Sequence, residues 1–349
     1  MAKKIISIVG ARPQFIKHAP LQLQLQKYFT AITVHTGQHY DSNMSDIFFR
    51  ELKMASPEYH LNLTGKLHGH QTAEMMIELE KIVIEEKPDV LLVYGDTNST
   101  LAGALVAAKL LIPVVHIEAG LRSFNKSMPE EINRILTDNV SDLLFCPSDL
   151  AVNNLRDEGI TRNVYKSGDV MKDMLRLALP YLENRTNGME YYFATIHRPY
   201  NTDSKDRMLK ILESFKQMDA LVIFAIHPRT SNLLQQYNID LAKYNNVKII
   251  PPVGYFDSLS YQQHAKAVIT DSGGMQKEAY WLNKNCVTIR KETEWKETLT
   301  DGHNSLLFEP LEALPSLLTR TNAAPFDASL YGDGNAADEI AKVIFQNYN

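Results

Sequence analysis

"VYGDTNSTLAGAL" (93–105) and "VITDSGGMQKEAY" (268–280) are built to one plan. Each runs from an apolar strand into an Asp, then small polar residues, then a helical stretch. A buried strand that delivers a polar turn and a helix start is half of a βαβ unit. Working outward, short β-branched runs recur between helical patterns. They are "KIISIV", "AITVH", "DVLLVY", "PVVHIE" and "DLLFC" in the first half, then "NVYKSG", "YYFATI", "ALVIFAIH", "VKII", "AVIT" and "CVTI" in the second. Apolar runs this short, alternating with helices, read as parallel sheets covered on both faces. The polar, turn-rich "LPYLENRTNGMEYYF" (179–193) separates the halves. The expected fold is α/β: two Rossmann-like domains, 1–175 and 176–349, facing a central cleft. Ligands bind at the carboxyl ends of the strands in such sheets.

A chain of 349 residues, 44% hydrophobic and 22% charged, has the composition of a soluble two-domain protein. A net charge of −5 leaves no electrostatic footprint for nucleic acid or an anionic membrane. Cys146 and Cys286 stand far apart, which suggests a reducing cytoplasm. The N-terminal "MAKKIISIVG" reads as a first strand rather than a signal peptide. No apolar stretch is long enough to span a bilayer.

Several stretches carry candidate chemistry. In "TDSGGMQKEAYW" (270–281), Ser272, Gly273 and Gly274 sit where free helix-start amides bind phosphate, with Glu278 one turn on for a ribose diol. A plain N-cap with a tight turn fits the same residues. "IVGARPQFIK" (8–17) lacks the G-x-G-x-x-G spacing of a dinucleotide loop, but Arg12 and Lys17 bracket a helix start. They suit phosphate oxygens or a solvated basic helix end. Asp96 in "GDTNST" (95–100) is placed as a helix cap when read alone. His197 in "FATIHRPYN" (193–201) and His227 in "AIHPRT" (225–230) lie at strand ends, where a histidine is either functional or a satisfied core residue. "HIEAGLRSFNKSMPEEINR" (116–134) follows an apolar run and carries Glu118, Glu130 and Glu131. A solvated connection and a proton-moving cluster both fit it. No His, Cys or carboxylate pair has convincing metal spacing, and "HGH" (68–70) reads as an exposed loop.

Together, "GARPQFIKHAPL", "HTGQH", "YGDTNST", "HIEAGLRS", "MPEEINR", "HRPYN" and "TDSGGMQKEA" form an ordered set that resembles the non-hydrolysing UDP-N-acetylglucosamine 2-epimerases, across roughly residues 4 to 310. The resemblance implies a GT-B-like fold, a homodimer and no cofactor. It implies a reaction in which UDP is eliminated from UDP-GlcNAc and added back through a 2-acetamidoglucal, giving UDP-ManNAc. On that resemblance Asp96, Glu118, Glu130 and His197 are catalytic, with the carboxylates as acid/base groups and His197 at the departing diphosphate. Arg12, Lys17, His227, Ser272, Gly273, Gly274 and Glu278 bind the UDP-sugar. Glu131 is a helix-start residue favoured by the macrodipole.

Two stretches depart from common members of that family. "TEWKE" (293–297) stands where "TERPE" is usual, so Trp295 replaces an arginine, and "GQHYDSNM" (37–44) replaces "QHREML". These versions look closer to a subgroup acting on UDP-2,3-diacetamido-2,3-dideoxy-glucuronate. Members of the family regulated by a second bound UDP-GlcNAc use residues in the 37–44 region, so the resemblance does not carry that regulation over to this sequence. The rival classes are a GT-B glycosyltransferase, a hydrolysing epimerase and a non-catalytic nucleotide-sugar sensor.

Overall fold

The computed structural model describes residues 3–38, 54–61, 63, 67–186, 188–320 and 325–348. They fall into two compact units, Met1–Leu177 with Ser329–Asn349, and Ala178–Ala328. The first unit is built on β1 (Lys4–Val9), β2 (Thr30–His35), β3 (Tyr59–His60), β4 (Val90–Tyr94), β5 (Val114–Ile117), β6 (Leu143–Cys146) and β7 (Val164–Lys166). These pair in parallel in the order β3-β2-β1-β4-β5-β6-β7. Ile6 of β1 stands opposite Ile32 of β2 on one side and Leu91 of β4 on the other. β1 and β4 are apolar and buried nearly throughout because helices cover both faces, as parallel sheets require.

One face of that sheet packs on Met75, Leu79 and Val83 of the helix His68–Glu86, and on Ala102 and Val106 of the helix Asn98–Lys109. The Met, Leu and Val side chains among these each contribute about 1.5–3 kcal/mol when fully buried. The run "LAGAL" lets the second helix lie close. A Cβ on Gly103 would come 3.0 Å from Ile8 Cγ1 and 3.1 Å from Val93 Cγ1.

The second unit holds β8 (Tyr191–Thr195), β9 (Leu221–Ala225), β10 (Val247–Ile250), β11 (Val268–Thr270), β12 (Cys286–Thr288) and β13 (Asn304–Leu306). Its parallel order is β10-β9-β8-β11-β12-β13. Tyr192, Phe215, Phe224, Ile269 and Val287 lie in its main core. The strand order reverses between β1 and β4 in one unit and between β8 and β11 in the other, and such switch points open a crevice at the carboxyl ends.

Every run expected to be a strand holds one, and the departures lie elsewhere. "NVYKSG", read with the second half, pairs as β7 with β6 in the first sheet. β3 and β13 were not anticipated, one being two residues long and the other starting Asn-Ser. "HGH" begins the helix His68–Glu86 instead of forming a loop.

The second domain was expected to run to 349, but residues 329–349 belong to the first unit. Phe345 of the helix Ala336–Tyr348 lies 4.9 Å from Tyr28 and 6.2 Å from Phe29, ring to ring. Asp173 accepts the amides of Ala336 and Ala337 at 3.2 and 2.8 Å, capping that helix from a distant part of the chain. No described helix is long and apolar enough to cross a membrane.

Candidate active site

At the first switch point, β1 is followed by Gly10, where a Cβ would fall 2.1 Å from Thr36 Oγ1 and 2.3 Å from Ser99 Oγ. Ala11 is extended and starts the helix Arg12–Leu25. Gln14 then ties two loops together. Its Oε1 accepts the Gly10 and Ala11 amides at 2.8 and 3.0 Å, and its Nε2 donates to the Tyr94 carbonyl at 2.9 Å. The Gly10 and Ala11 amides are thereby occupied. Arg12 is half-buried beside the turn. Lys17, expected at phosphate oxygens, is buried and donates to Glu118 Oε1 at 2.5 Å.

The turn after β4 meets that ion pair. Gly95 has φ +61°, and a Cβ there would lie 3.4 Å from both Glu118 Oε1 and Lys17 Nζ. Glu118, just past β5, itself has φ +70°. A non-glycine residue in the left-handed region costs about 1–2 kcal/mol and is held by its surroundings. Here the Glu118 and Ala119 amides donate to the Phe145 carbonyl, at 3.1 and 3.0 Å.

Asp96, the next residue after Gly95, accepts from Arg134 Nε at 3.0 Å and Nη2 at 2.9 Å. Arg134 also grips Glu131, which is buried and accepts the Ser123 and Phe124 amides at 2.9 and 2.8 Å. Burial alone would raise the Glu131 carboxyl, but the two amides and the guanidinium outweigh it and hold the group below the usual carboxylate range. Glu131 is thus more than a macrodipole residue: it closes the 123–131 loop and aims Arg134 at Asp96. Glu130, beside it in the first turn of the helix Pro129–Val140, is half-buried and makes no hydrogen bond or ion pair among the described residues. Three carboxylates therefore stand in three unlike settings: salt-bridged and buried, guanidinium-bound, and unpartnered.

At the second switch point, His197 follows β8 and its Nδ1 lies 3.0 Å from Asp271 Oδ1. Asp271 is enclosed at the end of β11 and also accepts from the Arg198 amide at 2.9 Å and Asn201 Nδ2 at 3.0 Å. Burial pushes its carboxyl up, but His197, Asn201 and the Arg198 amide together bring it below the ordinary range. The ionised Asp fixes the ring of His197, whose side chain remains 41% exposed.

Ser272 caps the helix Gly273–Trp281, accepting the Met275 amide. Gly273 lies under the 293–297 segment, since a Cβ would come 2.8 Å from Glu294 Oε1 and 3.0 Å from Trp295 Nε1. Gly274 is half-buried in the same first turn. Glu278 is buried and accepts from Gln262 Nε2 at 2.9 Å. His227 follows β9, the strand paired with β8. It is exposed one strand from the switch point, where it accepts the Arg229 amide at 3.3 Å.

The model of the family described as UDP-N-acetylglucosamine 2-epimerase matches residues 21–345. The chain belongs to that family. It is 45% identical to a UDP-N-acetylglucosamine 2-epimerase homolog of Methanococcus maripaludis, over 98% of this chain and 99% of that one. It is 44% identical to the UDP-2,3-diacetamido-2,3-dideoxy-D-glucuronate 2-epimerase of Pseudomonas aeruginosa, with the same coverage. The crystal structure of Methanocaldococcus jannaschii UDP-GlcNAc 2-epimerase in complex with UDP-GlcNAc and UDP superposes with a TM-score of 0.90 at 40% identity, over 98% of this chain and 99% of that chain. The two-unit α/β architecture is the GT-B-like fold of these epimerases.

Within the epimerase frame, Trp295 has a visible consequence. It is buried, and Lys277 Nζ lies 3.4 Å from its ring centre. An arginine there would set a second cation against a buried lysine, whereas the indole face attracts one. Gln14, Arg134, Asp271 and Asn201 are the site residues that sequence reasoning missed. Asp271 had a signal, the shared strand-Asp plan; the others are spread over positions that only the folded chain joins. Most of the segment "GQHYDSNM", residues 39–44, lies outside the described residues.

Proposed function

We propose that this isomerase interconverts UDP-GlcNAc and UDP-ManNAc by eliminating UDP and adding it back. The C2 hydrogen of the sugar is not adjacent to a carbonyl, so removing it alone is prohibitive. Loss of UDP from C1 as the C2 proton leaves forms the C1–C2 double bond of a 2-acetamidoglucal. A proton returned to the opposite face of C2, with UDP rejoining C1, completes the inversion.

The observation that carries this reading is the set of Asp96, Glu118 and Glu130 in three different electrostatic settings. Inversion at C2 needs one group to take the proton from one face and another to return it to the opposite face, and three separately held carboxylates supply them. Lys17 and Arg12 supply positive charge on the same unit. On the other unit, His197 oriented by Asp271 stabilises the departing diphosphate, and Ser272, Gly273, Gly274 and Glu278 hold UDP. The functional form is a homodimer working in the cytoplasm; light scattering of the purified protein tests the dimer.

Proton NMR in D2O with UDP-GlcNAc and no added cofactor tests the reaction. Deuterium at C2 with a manno-configured UDP-sugar is the expected result. Accumulation of free ManNAc and UDP points to hydrolysis instead. UDP-2,3-diacetamido-glucuronate is the second substrate to offer, favoured by the Pseudomonas aeruginosa relative and by Trp295. Absence of exchange with both substrates sinks the epimerase reading.

A further inference from the structure

Beside the turns that hold Gly95 and Glu118 lies a buried chain of ionisable side chains that the proposed reaction does not use. His116 is fully enclosed on β5. Its Nε2 stands 2.8 Å from the Gly95 carbonyl oxygen and its Nδ1 2.7 Å from Asp138 Oδ1. The other Asp138 oxygen accepts from Arg122 Nη1 at 2.7 Å and from the Gly120 amide at 3.2 Å. The Arg122 fork closes on Glu158 with two bonds of 2.7 Å.

A carbonyl oxygen only accepts, so His116 Nε2 carries a proton. A carboxyl group gripped by a guanidinium and an amide is a carboxylate, which also only accepts, so Nδ1 carries the second. The remaining charges nearby balance. Lys17 and Glu118 pair on the α-carbon side of Gly95, Glu158 offsets Arg122, and burial pushes the Cys146 thiol up so that it stays neutral.

We infer that His116 is a positioning residue, held as an imidazolium between Asp138 and the Gly95 carbonyl, that fixes both turns bearing the acid/base carboxylates. Asp96 directly follows Gly95, and Glu118 lies two residues beyond His116. The Gly95 amide donates to the Ile117 carbonyl at 2.9 Å, so the two peptide groups of Gly95 are tied to β5. A neutral imidazole, with one N–H, satisfies only one of the two acceptors. The role assigned to the turns rests on the epimerase reading; the protonation of His116 does not.

Nitrogen-15 NMR of histidine-labelled protein, with His116→Gln to assign its signals, reads the ring directly. Both ring nitrogens are expected to bear protons at neutral pH, and one unprotonated nitrogen overturns the inference. In the epimerisation assay, His116→Gln lowers kcat about a hundredfold, the scale of a misplacement of about 1 Å, with KM and UDP affinity unchanged. A folded variant with wild-type kcat, or one altered only in KM, overturns it. If the variant does not fold, the wild-type NMR of a spectrum assigned through Asp138→Asn decides. Wild-type protein inactive on both UDP-sugars sinks the functional reading while the NMR outcome still decides the state of His116.

Discussion

Lys17 and Glu118 are buried to 7% and 9% exposure and joined at 2.5 Å, and they stand against a glycine that leaves room for them. Neither is comfortable alone. Removing one partner of a buried pair strands the other charge and costs about 3–5 kcal/mol, while removing both is far milder. Lys17→Met therefore destabilises on that scale, and Lys17→Met combined with Glu118→Leu recovers most of the loss. Urea unfolding of the four proteins measures this, and a double variant as unstable as the sum of the singles would contradict it. Activity follows a different rule, because both residues are expected at the chemistry. The double variant stays inactive although its stability returns. Arg134 shows the same economy: one guanidinium holds Asp96 at the site and Glu131 in the loop behind it.

At the scale of elements, the helix Asn98–Lys109 sits where Gly103 lets it, and its start carries the Asp96 turn. Gly103→Val drives methyl groups into Ile8 and Val93, and overpacking of this kind costs about 1–3 kcal/mol. A Tm equal to wild type would mean the helix can retreat from the sheet. Asp173 sets a pH dependence of its own. Burial pushes its carboxyl up to about 6, against the pull of the Ala337 and Ala336 amides. A raised folded value means the native state binds the proton more tightly, so this contribution is full below the ordinary value of 3.8 and declines as pH rises through about 6. Relative to Asp173→Asn, wild type loses roughly 2–3 kcal/mol across that window. Unfolding curves of the two proteins that stay parallel with pH would rule this out.

Elements were legible where one period governed a whole run: the apolar strands, and the shared strand-Asp-helix plan at both switch points. β3 and β13 were not, because two residues, or three that open Asn-Ser, carry no period. Glu130 and Glu131 look alike in sequence. Only the loop folded back over residues 123–124 decides that Glu131 is the clamp, while Glu130 stays half-buried beside it.

At the scale of the molecule, the last helix was misassigned for a comparable reason. Its buried Ile340 and Ile344 announce a covered face but not which surface covers it. The chain returns to the first unit because Asp173 waits there as its cap and Tyr28 and Phe29 receive Phe345. The two units then divide the proposed work. The carboxylates proposed for acid/base work belong to the first, and His197 with the helix start at Ser272 belongs to the second. That division predicts separable losses. UDP at a hundred times its Kd stabilises a protein that binds only in the native state by about 2.7 kcal/mol. Glu118→Gln and Asp96→Asn keep that stabilisation while losing C2 exchange, whereas His197→Ala and Gly273→Val lose it. Calorimetric scans with and without UDP read both classes. A Glu118→Gln protein blind to UDP beside a His197→Ala protein that still binds it would mean that the diphosphate is held by the first unit, and Arg12 would then take the place proposed for His197.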